Sequence, residues 1–477
     1  MNKSYKHLLV ISALVLASAL VLAIYGCRHK DPTPDIDQLV DFHKAYFLSQ
    51  DDIIEEDSLA LYVDYSTCMA DAMSVPAMSR FYMDIVPSLT NAARSYYSIK
   101  GNAITQEQGS DVYSMLKSVQ EVNYADLQTA ANMIAEGNTE AILLTDGEFY
   151  EKSIAKSHVN DPYMAPAFEK WLTRGHDIYI FSEPYVETSG NRQFNKKRFY
   201  FLFTDSRLQD NIFSKIEKNV KIENYPEVRY YHLTSNNPAL QINSETAKFN
   251  DCATPNELLE CRPEAHGNYE IEDWSNMDWK SIRKFILNAY DQSTGNALPD
   301  GDVVITGLAL DKNFQGGCYR IDDIELKVYG LNQEYKDFVR NLSDSNTGEA
   351  VLPCEVAKNH SLSLTAAPNF MKLDKQEFAD NGVINIYFDA QMFDPTILDG
   401  DPYNYFKIDI LVKDYSNNFS HNPMAEQIFS FDSIDIPGQN NTSIVESIKQ
   451  AISKPAVSNM VKGKTIYSIY VRTNKYK

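Results

Sequence analysis

The sequence is short of basic residues. Its 477 positions hold 44 lysine and arginine residues against 65 aspartate and glutamate residues, which gives a formal net charge of −21 at pH 7. Proteins that bind nucleic acid need clustered lysine and arginine to contact the phosphates. We therefore expect no nucleic acid among the partners of this chain.

Several motifs of common catalytic centres are also missing. The chain has no His-x-x-x-His, no paired Cys-x-x-Cys, no glycine-rich phosphate loop and no Gly-x-Ser-x-Gly. No set of nucleophile, base and orienting residue can be assembled from the remaining positions. These absences predict that the protein is not an enzyme. A hydrolase with its site in the C-terminal half is the alternative that the sequence leaves open.

The N-terminal residues have the pattern of a secretory leader. Lys3 and Lys6 precede a run at residues 8–25 that is apolar except for two serines, and Gly26 and Cys27 follow. A basic start, an apolar centre and a small residue at the cleavage point are the three features of such a leader. The body of the protein is therefore expected outside the inner membrane.

The junction Ala-Ile-Tyr-Gly-Cys resembles a bacterial lipobox, in which cleavage precedes a cysteine that becomes lipidated. We accordingly predict a lipoprotein signal peptide at residues 1–26, lipidation at Cys27 and a polar tether at residues 27–56. The protein would then be lipid-anchored in the cell envelope, with the outer membrane as the expected location. An uncleaved membrane anchor is the alternative, because the apolar run is long enough to span a bilayer.

Four cysteines of the C-terminal half are candidates for disulfide bonds, namely Cys252, Cys261, Cys318 and Cys354. Disulfides form in oxidising compartments. Four cysteines allow three pairings, and the sequence favours Cys252 with Cys261 only because this pair closes the shortest loop. Cys68 lies apart from them and is expected to be free.

Residues 57–225 alternate short apolar strands with amphipathic helical segments. The run Ala-Ile-Leu-Leu at residues 141–144 lacks the alternation of a strand with one wet face, which indicates a strand covered by helices on both faces. One of the predicted helices spans residues 78–97. The pattern as a whole predicts a doubly wound α/β domain.

Beyond residue 225 the sequence becomes β-rich. Segments that alternate apolar and polar residues are separated by Asn, Asp, Gly and Pro, as in β-sandwich proteins. Helical patterns interrupt them at residues 279–291 and 443–453. We divide this half into a β-rich domain at residues 226–345 and a β-rich C-terminal domain at residues 346–477, because residues 343–359 are polar and turn-rich.

Polar side chains follow the first predicted strand, in Leu-Tyr-Val-Asp-Tyr-Ser-Thr-Cys-Met at residues 61–69. Asp64, Ser66 and Cys68 are two positions apart, so an extended backbone points them to the same side. Asp146 ends a later strand of the same sheet. Ligands collect at the carboxyl ends of the strands in open α/β sheets. Two carboxylates and a hydroxyl there predict a seat for a hard divalent ion such as Mg²⁺.

These two segments resemble the signatures of von Willebrand factor type A domains. Asp64 and Ser66 match the D-x-S-x-S motif, with Cys68 in the place of the second serine. Leu-Leu-Thr-Asp-Gly at residues 143–147 resembles the second signature of that family. The resemblance covers roughly a third of the chain. It implies a metal-ion-dependent adhesion site in which Asp64, Ser66 and Asp146 hold Mg²⁺ or Ca²⁺.

The chain departs from the family pattern at two positions. The thiol of Cys68 replaces an oxygen ligand, and sulfur suits hard cations poorly. The threonine that the family places between the two signatures falls on Ala125 in this sequence. The neighbouring Asp126 is a further candidate oxygen ligand.

A simpler interpretation stays open for these residues. Asp64 and Ser66 cap the following helix in this interpretation, as Asp and Ser do at many helix starts. Asp146 then belongs to a turn. Glu148 and Glu151, which follow Asp146 closely, fit a solvated face.

Together these features predict a lipid-anchored envelope protein that binds another protein or an extracellular polymer through a domain resembling von Willebrand factor type A. The resemblance implies that the bound ion coordinates a carboxylate of the partner. Beside the hydrolase, a metal-free structural subunit of an envelope assembly is the second alternative.

Overall fold

The computed structural model describes residues 36–46, 59–74, 79–108, 124–151, 156–205, 208, 211–234, 242–243, 248–249, 269–273, 283–287, 302–310, 318–343, 347–389, 392, 403–419 and 423–474. The predicted leader, the lipidation site Cys27 and the pair Cys252 and Cys261 lie outside these residues. In the described part of the chain, no helix is both long and apolar enough to cross a membrane.

Helices and strands are numbered along the chain. The helices are α1 (Ile36–Tyr46), α2 (Thr67–Ala72), α3 (Arg80–Ala92), α4 (Leu127–Glu136), α5 (Ala165–Leu172), α6 (Ile212–Asn219), α7 (Asn332–Asn341), α8 (Pro353–Asn359), α9 (Lys375–Asn381), α10 (Pro423–Phe429), α11 (Ser443–Ile452) and α12 (Pro455–Ser458). The strands are β1 (Leu59–Asp64), β2 (Ala93–Lys100), β3 (Ala103–Glu107), β4 (Ala141–Thr145), β5 (Phe149–Glu151), β6 (Lys156–His158), β7 (Asp177–Ser189), β8 (Arg192–Thr204), β9 (Arg229–Leu233), β10 (Ile242–Asn243), β11 (Lys248–Phe249), β12 (Tyr269–Asp273), β13 (Arg283–Leu287), β14 (Asp302–Leu310), β15 (Tyr319–Gly330), β16 (Thr365–Ala366), β17 (Met371–Leu373), β18 (Val383–Phe388), β19 (Tyr403–Asn417), β20 (Phe431–Asp432), β21 (Asn440–Asn441) and β22 (Thr465–Asn474).

The described residues fall into two compact units. One unit contains α1 together with residues 333–343 and 347–363, and the other contains the remaining described residues. In the first unit the ring of Phe42 packs against Tyr335 and Phe338, with ring centroids 5.8 and 5.3 Å apart. All three side chains are buried. This small unit therefore has an aromatic core of its own.

A seven-stranded mixed sheet forms the α/β part of the second unit. Its strand order is β3-β2-β1-β4-β8-β7-β9. β1 runs parallel to β2 and to β4, whereas β7 and β8 form a long antiparallel hairpin of which β8 pairs with β4. The predicted α/β fold is confirmed at this level.

Helices cover both faces of this sheet. Along β1, Leu61 and Val63 belong to the hydrophobic cluster that includes side chains of α2, α3 and α6, whereas Ala60 and Tyr62 belong to the cluster of α4, α5 and α11. Successive residues of a strand point to opposite faces, so a strand that is buried on both sides is apolar throughout. The prediction drawn from the apolar run at residues 141–144 is confirmed.

The strands of the C-terminal half form further antiparallel sheets, as their alternating pattern predicts. One sheet has the order β10-β14-β18-β17 with β11 paired to β14, and another has the order β13-β12-β22-β19-β15-β16. The predicted helix at residues 279–291 is wrong where the structure describes it, because Arg283–Leu287 form β13. Phe285 and Ile286 favour a strand, and antiparallel pairing with β12 stabilises it.

The predicted helix at residues 78–97 is wrong at its C-terminal end. The helix α3 ends at Ala92, and the chain then continues directly as β2, which pairs in parallel with β1. Aromatic side chains such as Tyr96 and Tyr97 suit a strand as well as a helix. Pairing with the neighbouring strand therefore decides the outcome.

The α/β sheet and the C-terminal half share one hydrophobic cluster. β9, which lies beyond residue 225, pairs with β7. Helix α11 packs on α5, where the Ser447 Oγ accepts a hydrogen bond from the Met164 N–H at 3.1 Å. The domain boundaries after residues 225 and 345 stay predictions.

Three described cysteines, Cys68, Cys318 and Cys354, have free thiols. The expectation of a disulfide is thereby corrected for Cys318 and Cys354. Cys318 is fully buried in the apolar core and packs there as a small apolar side chain. The favoured pair, Cys252 with Cys261, lies outside the described residues.

Candidate functional site

The carboxyl ends of β1 and β4 bring two of the predicted site residues to one edge of the sheet. In the parallel register, Val63 lies beside Leu144. Asp64 therefore ends β1 beside Thr145, and Asp146 follows directly. Each aspartate is only 1% exposed. Two buried carboxylates thus lie at the same edge of the sheet.

Both oxygens of Asp64 accept hydrogen bonds from the protein. The Ser66 N–H donates to Oδ1 at 2.7 Å, and the Thr145 hydroxyl donates to Oδ2 at 2.7 Å. Burial raises the pKa of Asp64, while the hydrogen bonds from Ser66 and Thr145 oppose that rise. The carboxylate of Asp64 is therefore engaged in holding the ends of two strands together.

Ser66 is the N-cap of helix α2. Its backbone is extended, and its Oγ accepts a hydrogen bond from the Met69 N–H at 3.2 Å. A side-chain oxygen in this position satisfies one of the free N–H groups at a helix start. The simpler interpretation of Ser66, as a helix cap, therefore describes its contacts.

One oxygen of Asp146 has no hydrogen-bond partner in the described part of the chain. Oδ1 accepts a hydrogen bond from the Glu148 N–H at 2.9 Å, but the buried Oδ2 has no hydrogen-bond partner among the described residues. Burial and the negative charge of Asp64 raise the pKa of Asp146 well above its usual range. Gly147 allows the tight turn after β4, because its φ is +76°.

Cys68 and Glu148 lie beside Asp146. One potential ligand atom of each of these three residues lies within 4.8 Å of those of the other two. Cys68 and Glu148 are partly exposed, so solvent reaches the cluster from their side. We call Cys68, Asp146 and Glu148 the crevice cluster.

Glu148 was not among the site residues predicted from the sequence. The acidic stretch Gly-Glu-Phe-Tyr-Glu at residues 147–151 is typical of a solvated face, yet the Glu148 side chain is only 12% exposed. Its position directly after the turn at Gly147, close in sequence to Asp146, was the available signal.

Lys196 adds a positive charge to the crevice cluster. Its ammonium forms an ion pair with Glu148 and donates to the Asp432 carbonyl oxygen at 3.3 Å. The side chain is 1% exposed, and its Nζ lies 5.0 Å from the ring centroid of Phe431. Burial alone would lower the pKa of Lys196, but the charges of Glu148 and Asp146 outweigh burial and raise it. Lys196 is therefore a buried ammonium ion.

The hairpin of β7 and β8 adds two further polar groups. The Tyr185 hydroxyl and the Glu187 Oε2 are buried and have no hydrogen-bond partner among the described residues. Burial raises the pKa of Glu187 to about 7, with Lys196 opposing the rise and Glu148 adding to it. Burial also raises the pKa of Tyr185, and the charge of Asp146 adds to that rise. Polar groups of two strands thus surround the crevice cluster.

Asp126 has a different role from that of a metal ligand. It caps helix α4, since its carboxylate accepts hydrogen bonds from the Thr129 N–H at 3.0 Å and the Thr129 hydroxyl at 2.8 Å. The neighbouring Ala125 is buried and has no side-chain oxygen. Within the described residues, Asp126 is not part of the group of converging ligand atoms.

This set of donors does not suit Mg²⁺ or Ca²⁺, which take several oxygen ligands at about 2.0–2.6 Å. Both oxygens of Asp64 accept hydrogen bonds, and Ser66 caps a helix. Cys68 offers sulfur, which suits these hard cations poorly. One sulfur with two carboxylates is a better match for a borderline ion than for a hard one.

Comparisons with known proteins add no relative. No protein-family model matches the sequence, and no curated protein and no solved structure matches the chain. The resemblance to von Willebrand factor type A domains therefore rests on the two short segments alone.

Proposed function

We propose that this chain is a lipid-anchored protein of the cell envelope that binds another protein at the carboxyl end of β1 and β4. The observation that carries the proposal is the buried Oδ2 of Asp146, a residue of the crevice cluster, because this oxygen has no hydrogen-bond partner among the described residues. Unpaired buried polar atoms cost free energy and are few in native proteins, so each one calls for an explanation such as a bound ligand or ion. The resemblance to von Willebrand factor type A signatures favours a protein as the partner.

Binding is better supported than catalysis at this site. Burial raises the pKa of the Cys68 thiol, and the charges of Asp146 and Glu148 raise it further. A nucleophilic cysteine needs a lowered pKa, because the thiolate is the reactive form. The surroundings of Cys68 therefore oppose a role as a nucleophile.

A metal-free structural subunit is the second candidate. The ion pair between Lys196 and Glu148 favours it, because a fixed ammonium already offsets one negative charge of the crevice. In that case the fold alone, without an ion, would maintain the shape of the surface that binds the partner.

Site-specific photocrosslinking in intact cells tests the proposed binding surface. In the test variant a photoreactive residue replaces the exposed Asp71, which follows Cys68 on α2. In the control variant it replaces the exposed Thr139, which lies just before the start of β4, at the end of that strand away from Asp146. We expect a discrete protein adduct from position 71 that is weakened by Asp146→Ala. An equal adduct from both positions, or none from position 71, contradicts the proposal. An adduct with a polysaccharide would assign the surface to an extracellular polymer instead.

Metabolic labelling with a fatty acid tests the anchor. We expect the label in the wild-type chain and its loss in Cys27→Ser, because the thiol of Cys27 would carry the lipid. The matched variant Cys354→Ser keeps the label. An unlabelled wild-type chain contradicts lipid anchoring.

A further inference from the structure

We infer that the crevice cluster of Cys68, Asp146 and Glu148 binds a borderline divalent ion such as Zn²⁺ in preference to Mg²⁺ or Ca²⁺. A role of this ion in recognising the partner rests on the proposed function. Binding of the ion itself does not, and it is tested without any partner.

The donor atoms of the crevice cluster suit Zn²⁺. Zn²⁺ takes thiolate ligands at about 2.3 Å and carboxylate oxygens at about 2.0–2.2 Å, so tetrahedral ligand atoms lie roughly 3.5 Å apart. The three ligand atoms of the crevice cluster already lie within 4.8 Å of one another. Small side-chain rotations therefore suffice to close the cluster around an ion.

Asp146 offers an acceptor oxygen to a cation. Its Oδ2 is buried without a hydrogen-bond partner in the described part of the chain, while Oδ1 is held by the Glu148 N–H. Leaving a buried acceptor unsatisfied costs about 1–3 kcal/mol, and more for a charged group. Coordination of a cation would satisfy this oxygen, and the neighbouring thiol would lose its proton on binding.

Carboxyl groups outnumber ammonium groups among the described residues of the crevice. The ammonium of Lys196 lies among four carboxyl groups in or around the crevice, namely Asp64, Asp146, Glu148 and Glu187. A bound divalent cation would stabilise the ionised forms of these carboxyl groups. Asp64 would take part by its charge alone, because its oxygens are bonded to Ser66 and Thr145.

Three protein ligands leave a fourth tetrahedral position open, as in zinc sites that accept an outside ligand. Solvent reaches the cluster from the side of Cys68 and Glu148, which are partly exposed. Water, or a carboxylate or imidazole of the partner, is the class of ligand that would complete the coordination.

Titration of the chelator-treated mature chain carrying Cys27→Ser tests the inference. We expect micromolar Zn²⁺ or Co²⁺ to raise the melting temperature, because an ion that binds only the folded state stabilises it by mass action. Millimolar Mg²⁺ should not raise it. Co²⁺ should also produce the near-ultraviolet absorption of a cobalt–thiolate bond. Cys68→Ser should abolish that absorption, whereas Cys354→Ser should retain it.

Two carboxylate variants separate ligation from misfolding. Asp146→Asn and Glu148→Gln should weaken Zn²⁺ binding at least about tenfold while circular dichroism stays that of the parent chain. The control Asp126→Asn, at the cap of α4, should bind as the parent does. Cobalt absorption that persists in Cys68→Ser, stabilisation by Mg²⁺ equal to that by Zn²⁺, or no metal effect on the parent chain each overturns the inference. If the metal binds but position 71 yields no adduct, the proposed function fails and the metal site stands.

Discussion

The hydroxyl of Thr145 donates a hydrogen bond to the buried carboxylate of Asp64, with Oγ1 and Oδ2 2.7 Å apart. The two residues are 81 positions apart in the sequence and meet because β1 and β4 are parallel neighbours. The same Thr145 Oγ1 accepts a hydrogen bond from the Gly147 N–H at 3.0 Å. One hydroxyl thus ties together the ends of two strands and the turn that carries Asp146.

Replacing this hydroxyl should destabilise the protein without creating a cavity. We expect Thr145→Val to lower the free energy of unfolding by about 1–3 kcal/mol, because it leaves a buried carboxylate oxygen of Asp64 unsatisfied. Thr145→Ser keeps the hydroxyl and should cost less. Urea unfolding of the mature chain measures both. A loss for Thr145→Val no larger than that for Thr145→Ser would mean that the hydrogen bond contributes no more to stability than the methyl group does.

The turn at Gly147 should tolerate no side chain. A Cβ at Gly147 would lie 2.8 Å from two ring carbons of the buried Phe199, and the φ of +76° adds backbone strain. The control is Gly175, which has a similar φ of +81° but where no atom of the described residues lies within 4 Å of the place that a Cβ would take. We expect Gly175→Ala to cost about 1 kcal/mol and Gly147→Ala about 1–3 kcal/mol more. Equal costs in urea unfolding would contradict the crowding against Phe199.

Glu187 should make the stability depend on pH. Burial raises its pKa from 4.5 to about 7, so the folded state binds this proton more tightly than the unfolded chain does. The resulting stability is present at low pH and is lost as the pH rises through about 7. The free energy of unfolding of Glu187→Gln should therefore be similar to that of wild type at about pH 4 and larger than that of wild type at about pH 8. The control is Glu223→Gln at an exposed position, which should show no such difference. If the stability of Glu187→Gln changes with pH in the same way as that of wild type, Glu187 is not the group responsible.

The strand pattern of the α/β part was predictable because both faces of the sheet are buried. Residues 59–63 and 141–144 are uninterrupted apolar runs, and local composition alone indicates such strands. The end of α3 was not predictable in this way. Residues 93–97 have side chains that suit either state, and only pairing with β1 makes them a strand.

The site was predictable only in part, because some of its contacts also depend on strand pairing. Asp64 and Asp146 follow recognisable strands, so their common edge could be foreseen from the sequence. Lys196 lies on β8, and its contact with Glu148 depends on the antiparallel pairing of β8 with β4. No local pattern indicates a contact between residues that far apart in the chain.

The two halves of the second unit should unfold together, because they share a core. Ile448 of α11 is fully buried in the cluster that also contains Leu143 of β4. We expect Ile448→Ala to cost about 2–4 kcal/mol and to speed amide hydrogen exchange in β4. The exposed Gln450→Ala on the same helix is the control. Unchanged exchange in β4 for Ile448→Ala would indicate that the predicted α/β domain is stable by itself.

The most direct measurement of the central claim is anomalous diffraction at the zinc absorption edge from crystals grown with Zn²⁺ and Mg²⁺ together. The crevice cluster predicts a zinc peak about 2.3 Å from the Cys68 Sγ and about 2.0–2.2 Å from oxygens of Asp146 and Glu148. The ammonium of Lys196 should then have moved away from Glu148. A map with no zinc peak in the crevice, and with Lys196 still paired to Glu148, would contradict the account.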